Sequence, residues 1–212
     1  MADPKLLYDA LLQGELKAAV TVTREALEEG TSPMDLITKY MIPAMDEVGR
    51  RFESQEFYVP ELLLSARAMK GSMELLQPLL TAAGVIPAGR VVIGTVRGDL
   101  HDIGKNLVAS MLQGGGFEIV DLGADVSPEK FVAATIEHRP QILCMSALVT
   151  VTMPAMKSTI EALTSAGLRD RVRVLVGGAP LTPQFAREIG ADGYGENATE
   201  AVALARTMMA SL

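Results

Sequence analysis

The sequence predicts a helical bundle followed by a five-stranded parallel sheet wrapped by helices, an α plus α/β fold. Up to about residue 83, apolar residues recur at helical spacing and no convincing strand is present. From residue 90 onward, short runs of β-formers alternate with helical stretches, as in parallel sheets with crossover helices. A segment rich in small residues, Pro and Gly separates the two patterns, and it predicts domains at 1–83 and 90–212 joined by a linker at 84–89.

Four helices are expected in the first half, joined by short loops as in a small bundle. Their predicted ranges are 3–12, 15–29, 33–51 and 59–80. Gly14 and Gly30 end the first two helices, and Ser32-Pro33 is a strong start signal for the third. Pro43 lies inside the third helix and is expected to kink it.

Five strands and five helices are expected in the second half. The strands are predicted at Arg90–Val96, Glu118–Leu122, Ile142–Ser146, Val172–Val176 and Gly193-Tyr194. The helices are predicted at Gly104–Leu112, Pro128–Glu137, Pro154–Ser165, Pro183–Ile189 and Ala198–Met208. Right-handed crossovers limit the topology, and five strands favour the flavodoxin-like (Rossmann-like) order 2-1-3-4-5. In that order the loops after the first and third strands flank one crevice.

Composition and charge exclude several classes of function. The 212 residues carry a net charge of −7, which argues against nucleic acid as a partner. No apolar run approaches the roughly 20 residues of a membrane span, and the N-terminal residues do not resemble a signal segment. Cys144 is the single cysteine and lies in an apolar run, so a buried core thiol is expected rather than a nucleophile. We expect a soluble, cytoplasmic protein.

The loop after the first strand is the candidate site, with the sequence Gly98-Asp99-Leu100-His101-Asp102-Ile103-Gly104. A histidine with a carboxylate close by is typical of an imidazole that binds a metal through one nitrogen and is oriented through the other. The third strand is followed by Leu148-Val149-Thr150, and the fourth by Gly177-Gly178. Paired glycines permit a flat ligand to approach the backbone closely. We predict that these three loops meet at one edge of the sheet.

The spacing of these loops resembles the fingerprint of the cobalamin-binding domain. The three segments are Asp99-x-His101-x-x-Gly104, Ser146-x-Leu148 and Gly177-Gly178, separated by 41 and 28 residues. This domain occurs in methionine synthase, in corrinoid methyltransferase proteins and in cobalamin-dependent mutases. The first half, with Phe52 and Tyr58-Val59-Pro60-Glu61-Leu62, is similar to the four-helix cap that precedes the domain. The resemblance covers nearly the whole chain and implies a stand-alone corrinoid protein of a methylamine-, methanol- or betaine-type methyltransferase system.

The resemblance also implies roles for individual residues. His101 would be the lower axial ligand of cobalt and would displace the cofactor's own base. Asp99 would accept a hydrogen bond from the second imidazole nitrogen, and Ser146 would extend this relay, which takes up a proton when reduced cobalt loses its axial ligand. Further contacts to a cobalamin or related corrinoid are expected from Gly98, Asp102, Gly104, Leu148, Thr150, Gly177, Gly178 and Ala198. An apolar lid over the upper face of the cobalt would be formed by Phe52, Val59 and Leu62.

Simpler structural roles are the alternatives for these residues. His101 could instead be an ordinary histidine of a surface loop. Asp99 could be a turn residue, and Ser146 could be a hydroxyl at the end of a strand. Asp102 fits equally well as the N-cap of the helix that follows. The three lid residues would be unremarkable in the core of a helical bundle.

The implied function is that of a methyl carrier. Cobalt would take a methyl group from a substrate bound on a substrate-specific methyltransferase, and a second methyltransferase would pass it to tetrahydrofolate or a thiol such as coenzyme M. A reductive activase is a third candidate partner. The protein would then be one subunit of a multi-component system rather than a complete enzyme, with residues 81–89 as the hinge of the cap.

Two other classes of function remain open on the sequence. A cobalamin-dependent sensor or regulator would use the same two domains, but it would need an output domain. A metal-free flavodoxin-like interaction or receiver domain would be colourless and would hold no cobalt.

Overall fold

The computed structural model describes residues 5–82 and 87–211, and these fall into two compact units. One unit contains residues 5–82 together with Gln113–Gly116, and the other contains the remaining described residues from Pro87 onward. The predicted helix start at residues 3–4 and most of the predicted linker, residues 83–86, lie outside the described residues. No helix in the described part of the chain is long and apolar enough to cross a membrane.

The first unit is helical, as predicted. Its α-helices are α1 (Lys5–Leu12), α2 (Leu16–Glu28), α3 (Pro33–Leu36), α4 (Ile42–Glu53) and α5 (Val59–Ala82). The long helix α5 packs against α1, α2 and α4. The largest fully buried side chains of this unit are Leu7, Leu11, Leu36, Met41, Leu62, Met69 and Leu76. The core is therefore aliphatic, in keeping with the low aromatic content of the chain.

The predicted third helix, 33–51, is not one continuous α-helix. Helix α3 runs into a π-helical turn at Ile37–Met41, and α4 follows directly and ends at Glu53. Pro43 lies at the start of α4 and has no N–H to donate to the carbonyl of Lys39, four residues earlier. A locally wider turn accommodates this missing hydrogen bond. Pro43 therefore changes the helix type over one turn.

The second unit contains a parallel sheet of five strands. These are β1 (Arg90–Thr95), β2 (Glu118–Asp121), β3 (Ile142–Ser146), β4 (Arg173–Gly177) and β5 (Gly193–Gly195). The order is β2-β1-β3-β4-β5, which confirms the predicted order 2-1-3-4-5. The helices between and after the strands are α6 (Ile103–Gly114), α7 (Pro128–His138), α8 (Pro154–Ser165), α9 (Pro183–Glu188) and α10 (Ala198–Ala210).

The two central strands are buried on both faces because helices cover the sheet from both sides. Helix α7 approaches β1 so closely that a Cβ atom on Gly94 would lie 2.9 Å from the ring of Phe131. Cys144 lies in β3 and is buried, and burial raises the pKa of its thiol to about 12. The thiol is therefore protonated at neutral pH, as expected of a core residue.

The carboxyl ends of three strands lie side by side. Thr95 at the end of β1 pairs with Ser146 at the end of β3, and Ser146 pairs in turn with Gly177 at the end of β4. The loops that follow these strands therefore begin at one edge of the sheet, which is where ligands bind in open α/β sheets.

Candidate functional site

The buried carboxylate of Asp99 joins the loop after β1 to the loop after β3. Oδ1 of Asp99 accepts hydrogen bonds from the backbone N of His101 at 3.0 Å and from Nδ1 of its ring at 2.7 Å. Oδ2 accepts from the backbone N of Leu148 at 2.7 Å and from the hydroxyl of Thr152 at 2.8 Å. The backbone N of Val149 is a weaker donor at 3.4 Å. Both carboxylate oxygens are therefore satisfied without water.

These bonds keep Asp99 ionised. Burial by itself raises the pKa of the carboxyl, but the hydrogen bonds from Leu148, His101 and Thr152 outweigh it and hold the pKa well below its ordinary value. Asp99 is consequently an acceptor only, at any pH near neutrality. It can orient a neighbouring donor and stabilise positive charge on it.

The imidazole of His101 is fixed on one side and free on the other. Its Nδ1–H donates to Asp99, which leaves the lone pair of Nε2 unused in the neutral ring. The backbone is held as well, because the hydroxyl of Thr95 donates to the carbonyl of His101 at 3.0 Å. The side chain is 54% exposed. This combination of an oriented ring and an accessible second nitrogen is that of a metal-ligating histidine.

The number of donors limits the kind of metal that fits. Within residues 5–82 and 87–211 there is no group of three or more His, Cys, Asp or Glu side chains that could hold a metal ion. A bare ion needs several protein ligands. A metal that is already bound by a macrocycle needs only an axial ligand, and His101 alone can supply that. The donor set therefore fits a metal–macrocycle cofactor and not a free ion.

Large apolar side chains stand exposed around His101. All of them lie on the loops after β1 and β3 or in the first turn of α6: Leu100, Ile103, Leu148, Val149 and Val151. Three of these, Leu100, Ile103 and Val151, are more than 70% exposed. Contiguous exposed apolar residues are rare on a soluble protein unless a ligand or partner covers them. A flat, largely apolar ligand on Nε2 of His101 would cover this surface.

The glycine pair has a visible structural role. Gly178 has a φ of +137°, and a Cβ atom there would lie 1.9 Å from the carbonyl oxygen of Ala147. Gly177 is the last residue of β4, not a loop residue as predicted, and a Cβ there would lie 2.9 Å from the oxygen of Gly195. These glycines thus allow neighbouring backbones to pack closely. Their contact with a ligand stays a prediction.

Two further glycines differ from this pair. Gly98 has a φ of +82°, a conformation that favours glycine, and its N–H donates to Asp125 at 2.7 Å. Gly104 has open space on its Cβ side, with no atom within 4 Å. Only Gly104, of the four predicted glycines, therefore lacks a structural reason to be glycine.

Ser146 does not occupy the position predicted for it. The hydroxyl that reaches the Asp99 carboxylate belongs to Thr152, and in the described part of the chain no hydrogen bond joins Ser146 to Asp99 or His101. Ser146 is held in β3, where its carbonyl accepts from the N of Val96 at 3.0 Å. A turn between Val149 and Thr152 folds the later hydroxyl back toward Asp99. The expected extension of the relay is therefore corrected from Ser146 to Thr152.

The remaining predicted contacts are distributed around this edge. Asp102 is exposed directly before α6, and its carboxylate accepts from the side chain of Asn106 at 3.1 Å. Thr150 is exposed in the loop after β3, beside Leu148. Ala198 is buried as the first residue of α10. None of these positions by itself distinguishes a ligand contact from a structural role.

The three predicted lid residues belong to the helical unit. Phe52 is half-buried in the last turn of α4, Val59 is exposed at the start of α5, and Leu62 is fully buried. The loop between the two helices is braced by Arg51, whose guanidinium donates to Glu47 at 2.8 Å and lies over the ring of Phe57 at 5.2 Å. The full burial of Leu62 is what core packing requires. The role of these residues as a lid stays a prediction.

Comparison with known families gives matches to both halves of the chain. A family model described as a B12 binding domain matches residues 89–203, and a second model of the same description matches residues 5–77. Trimethylamine corrinoid protein 1 of Methanosarcina acetivorans is 43% identical over 203 residues, which cover 95% of this chain and 94% of the relative. The dimethylamine corrinoid protein of Methanosarcina barkeri is 42% identical over 96% of both chains.

A solved structure gives the same result in three dimensions. The crystal structure of the methanol:cobalamin methyltransferase complex from Methanosarcina barkeri contains a chain that matches with a TM-score of 0.87 and 31% identity. The match covers 99% of this chain and 80% of that chain. The likeness therefore includes both units.

Proposed function

This chain belongs to the family of corrinoid proteins built from B12 binding domains, and we propose that it carries a methyl group on the cobalt of a bound corrinoid. It serves as the carrier between a substrate-specific methyltransferase and a second methyltransferase. The observation that carries this proposal is the bond between Nδ1 of His101 and the buried, ionised Asp99, which leaves Nε2 as a single accessible metal ligand.

His101 would hold the cofactor by binding its cobalt through Nε2, the ring nitrogen that Asp99 leaves unused. Leu100, Ile103 and Val151 would contact the apolar surface of the macrocycle, and Gly104 offers room beside α6 for the rest of the ligand. When bound, the corrinoid supplies a cobalt centre that can accept a methyl group as a nucleophile and release it again. The hard chemistry thus belongs to the cofactor, and the protein supplies ligation and access.

Asp99 sets the state of the imidazole. Its carboxylate fixes the Nδ1–H tautomer and raises the basicity of Nε2, which strengthens the bond to a metal. Asp99 itself stays ionised near neutral pH, because its hydrogen bonds hold the pKa of the carboxyl well below the ordinary value. Thr152 holds the carboxylate in place, because its hydroxyl donates to Oδ2 at 2.8 Å.

Methylamines are the proposed class of methyl donor. The relatives named for trimethylamine and dimethylamine match at 43% and 42% identity, so the similarity favours the class without distinguishing its members. The match to a chain of a solved methyltransferase complex supports a methyltransferase as one partner. We further infer a second methyltransferase acting on tetrahydrofolate or a thiol, and a reductive activase.

The test is retention of hydroxocobalamin by the purified protein after desalting, followed by its absorbance spectrum. His101→Ala is compared with the wild type and with His138→Ala, which removes the only other histidine of the chain. We expect wild type and His138→Ala to retain the corrinoid with the same spectrum, and His101→Ala to lose it or to show the spectrum of a corrinoid without an imidazole ligand.

Each outcome has a definite meaning. A wild-type protein that retains no corrinoid contradicts the proposed function. A His101→Ala protein with an unchanged spectrum contradicts only the assignment of the ligand.

A further inference from the structure

Two buried charges lie close together in the sequence at this edge of the sheet. Of the charged residues that the structure describes, Asp99 and Lys105 are the ones whose side chains are buried. Asp99 is explained by its bonds to the His101 loop. Lys105 lies in the first turn of α6, and nothing in the proposed chemistry uses it.

The position of Lys105 is unfavourable for a cation. Its side chain is 1% exposed, so the ammonium group has lost its water. The first turn of a helix also carries the positive end of the helix dipole. The ammonium is stabilised by the carboxylate of Asp121 at the end of β2, with Nζ 2.6 Å from Oδ1 and hydrogen-bonded to Oδ2 as well.

Asp121 is itself tied to the backbone that holds His101. Its Oδ1 accepts from the N of Gly123 at 2.9 Å, and the carbonyl of Gly123 accepts from the N of Thr95 at 2.9 Å. The hydroxyl of Thr95 donates to the carbonyl of His101 at 3.0 Å. A continuous series of hydrogen bonds thus runs from Lys105 through β2 and β1 to His101, four residues before Lys105.

The segment between these two anchors is held by α6 itself, since the backbone N and the side chain of Asn106 both donate to Asp102, at 2.7 and 3.1 Å. Asp102, Ile103 and Gly104 are exposed, and no atom lies within 4 Å of the Cβ side of Gly104. The ends of the segment are therefore held more firmly than its middle. Loss of the ion pair at Lys105 would loosen the first turn of α6 and the exposed residues 102–104 that follow His101.

We propose that the ion pair between Lys105 and Asp121 is a positioning device that fixes the first turn of α6 and so sets how firmly His101 is presented to a metal. This inference rests on the proposed function for its metal, while the pair itself is a feature of the ligand-free chain. Lys105 is a positioning residue and has no assigned contact with the corrinoid.

The first arm of the test uses ligand-free protein and amide hydrogen exchange. Lys105→Met removes the charge but keeps the length of the side chain, and it leaves a carboxylate that is 40% exposed and still bonded to Gly123. We expect exchange in residues 99–106 to rise by about tenfold or more, with unchanged exchange in β4 and α8. The control is Lys157→Met, which removes an exposed lysine of α8.

The second arm restores the pair with reversed charges. The double variant Lys105→Asp with Asp121→Lys has the same combined side-chain length, and we expect it to return exchange in residues 99–106 toward the wild-type rate. Asp121→Asn leaves the buried ammonium without a negatively charged partner, so we expect it to unfold at lower urea concentration than Lys105→Met.

The third arm uses protein loaded with hydroxocobalamin. We expect Lys105→Met to retain the corrinoid with a larger fraction lacking the imidazole ligand. We also expect the midpoint potential of the cobalt(II)/cobalt(I) couple to move to a less negative value. A donor ligand stabilises cobalt(II) more than cobalt(I), so a less firmly held donor makes reduction easier. A purely structural lysine would leave this potential unchanged.

Three results would overturn the inference. Exchange in residues 99–106 that is unchanged in Lys105→Met shows that the pair does not hold the loop. Exchange that rises equally in β4 and α8 shows only general destabilisation. An unchanged midpoint potential removes the link to the metal. If the wild type itself keeps no corrinoid, the proposed function fails, and the ligand-free arms still decide whether the pair positions the loop.

Discussion

Nδ1 of His101 lies 2.7 Å from Oδ1 of Asp99, two residues earlier on the same loop. The carboxylate is buried and the imidazole is half exposed, so the pair connects the interior of the sheet unit to its carboxyl edge. The backbone N of His101 donates to the same oxygen at 3.0 Å, so the loop itself holds the carboxylate beside the ring. The ring is therefore oriented before any ligand binds.

Replacement of the orienting carboxylate should weaken cofactor binding. Asp99→Asn removes the negative charge that stabilises the Nδ1–H tautomer, and changes of this kind cost about 10–100-fold in metal affinity. The affinity for hydroxocobalamin is measured by absorbance titration. Asp170→Asn, at an exposed carboxylate just before β4 and outside the predicted site, is the control and should change the affinity much less. Equal effects of the two substitutions would contradict a special role for Asp99.

Thr152 should matter more than Ser146. Thr152→Val keeps the shape of a buried side chain but removes the donor to Oδ2 of Asp99, and a hydrogen bond to a charged group contributes about 1.5–3 kcal/mol. We expect that loss in the free energy of unfolding measured with urea, and partial recovery in Thr152→Ser. Ser146→Ala should leave stability within about 0.5 kcal/mol of the wild type. A larger loss of stability in Ser146→Ala than in Thr152→Val would instead support the predicted role of Ser146 in the relay.

The Asp99 network should fail in acid. The pKa of Asp99 is lower in the folded chain than its ordinary value of 3.8, so the unfolded chain takes up the proton first as pH falls. The stability that Asp99 contributes is therefore complete above about pH 4 and is lost as pH falls through the depressed folded pKa. Urea unfolding of wild type and Asp99→Asn at several pH values tests this. The difference between them should shrink below pH 4, and a constant difference would contradict the bonding described.

Gly178 and Gly104 should respond differently to a methyl group. Gly178→Ala would place a Cβ atom 1.9 Å from the oxygen of Ala147 at a φ of +137°, so we expect a loss of at least about 2 kcal/mol in the free energy of unfolding. Gly104→Ala meets open space and should fold normally. If Gly104→Ala folds but binds hydroxocobalamin more weakly, the open space beside α6 is occupied by the ligand. Unchanged binding would remove Gly104 from the predicted contacts.

Much of the fold followed from the sequence for physical reasons. Alternating strand and helix patterns require crossovers, and right-handed crossovers leave few orders for five strands. The same topology brings the loops after β1 and β3 together, so the Asp99–His101 pair and its neighbour Leu148 were found at one edge. The π-helical turn before Pro43 was not predicted, because the pattern of apolar residues is nearly the same in both helix types.

The errors in the site come from tertiary geometry. Ser146 and Thr152 both carry hydroxyls after the same buried run, and only the turn between Val149 and Thr152 decides which hydroxyl reaches Asp99. The pairing of Lys105 with Asp121 depends on how α6 packs beside the end of β2, 16 residues away along the chain. Neither leaves a local signal in the sequence.

The central claim is that His101 is the axial ligand of cobalt, and electron paramagnetic resonance of the cobalt(II) form tests it most directly. A nitrogen ligand splits each parallel line into three when it is ¹⁴N and into two when it is ¹⁵N. Protein labelled with ¹⁵N-histidine is loaded with unlabelled hydroxocobalamin and reduced by one electron, with labelled His138→Ala as the control. We predict doublets in both proteins. Triplets that persist in labelled protein would show that the cofactor's own base binds the cobalt, and would contradict the account.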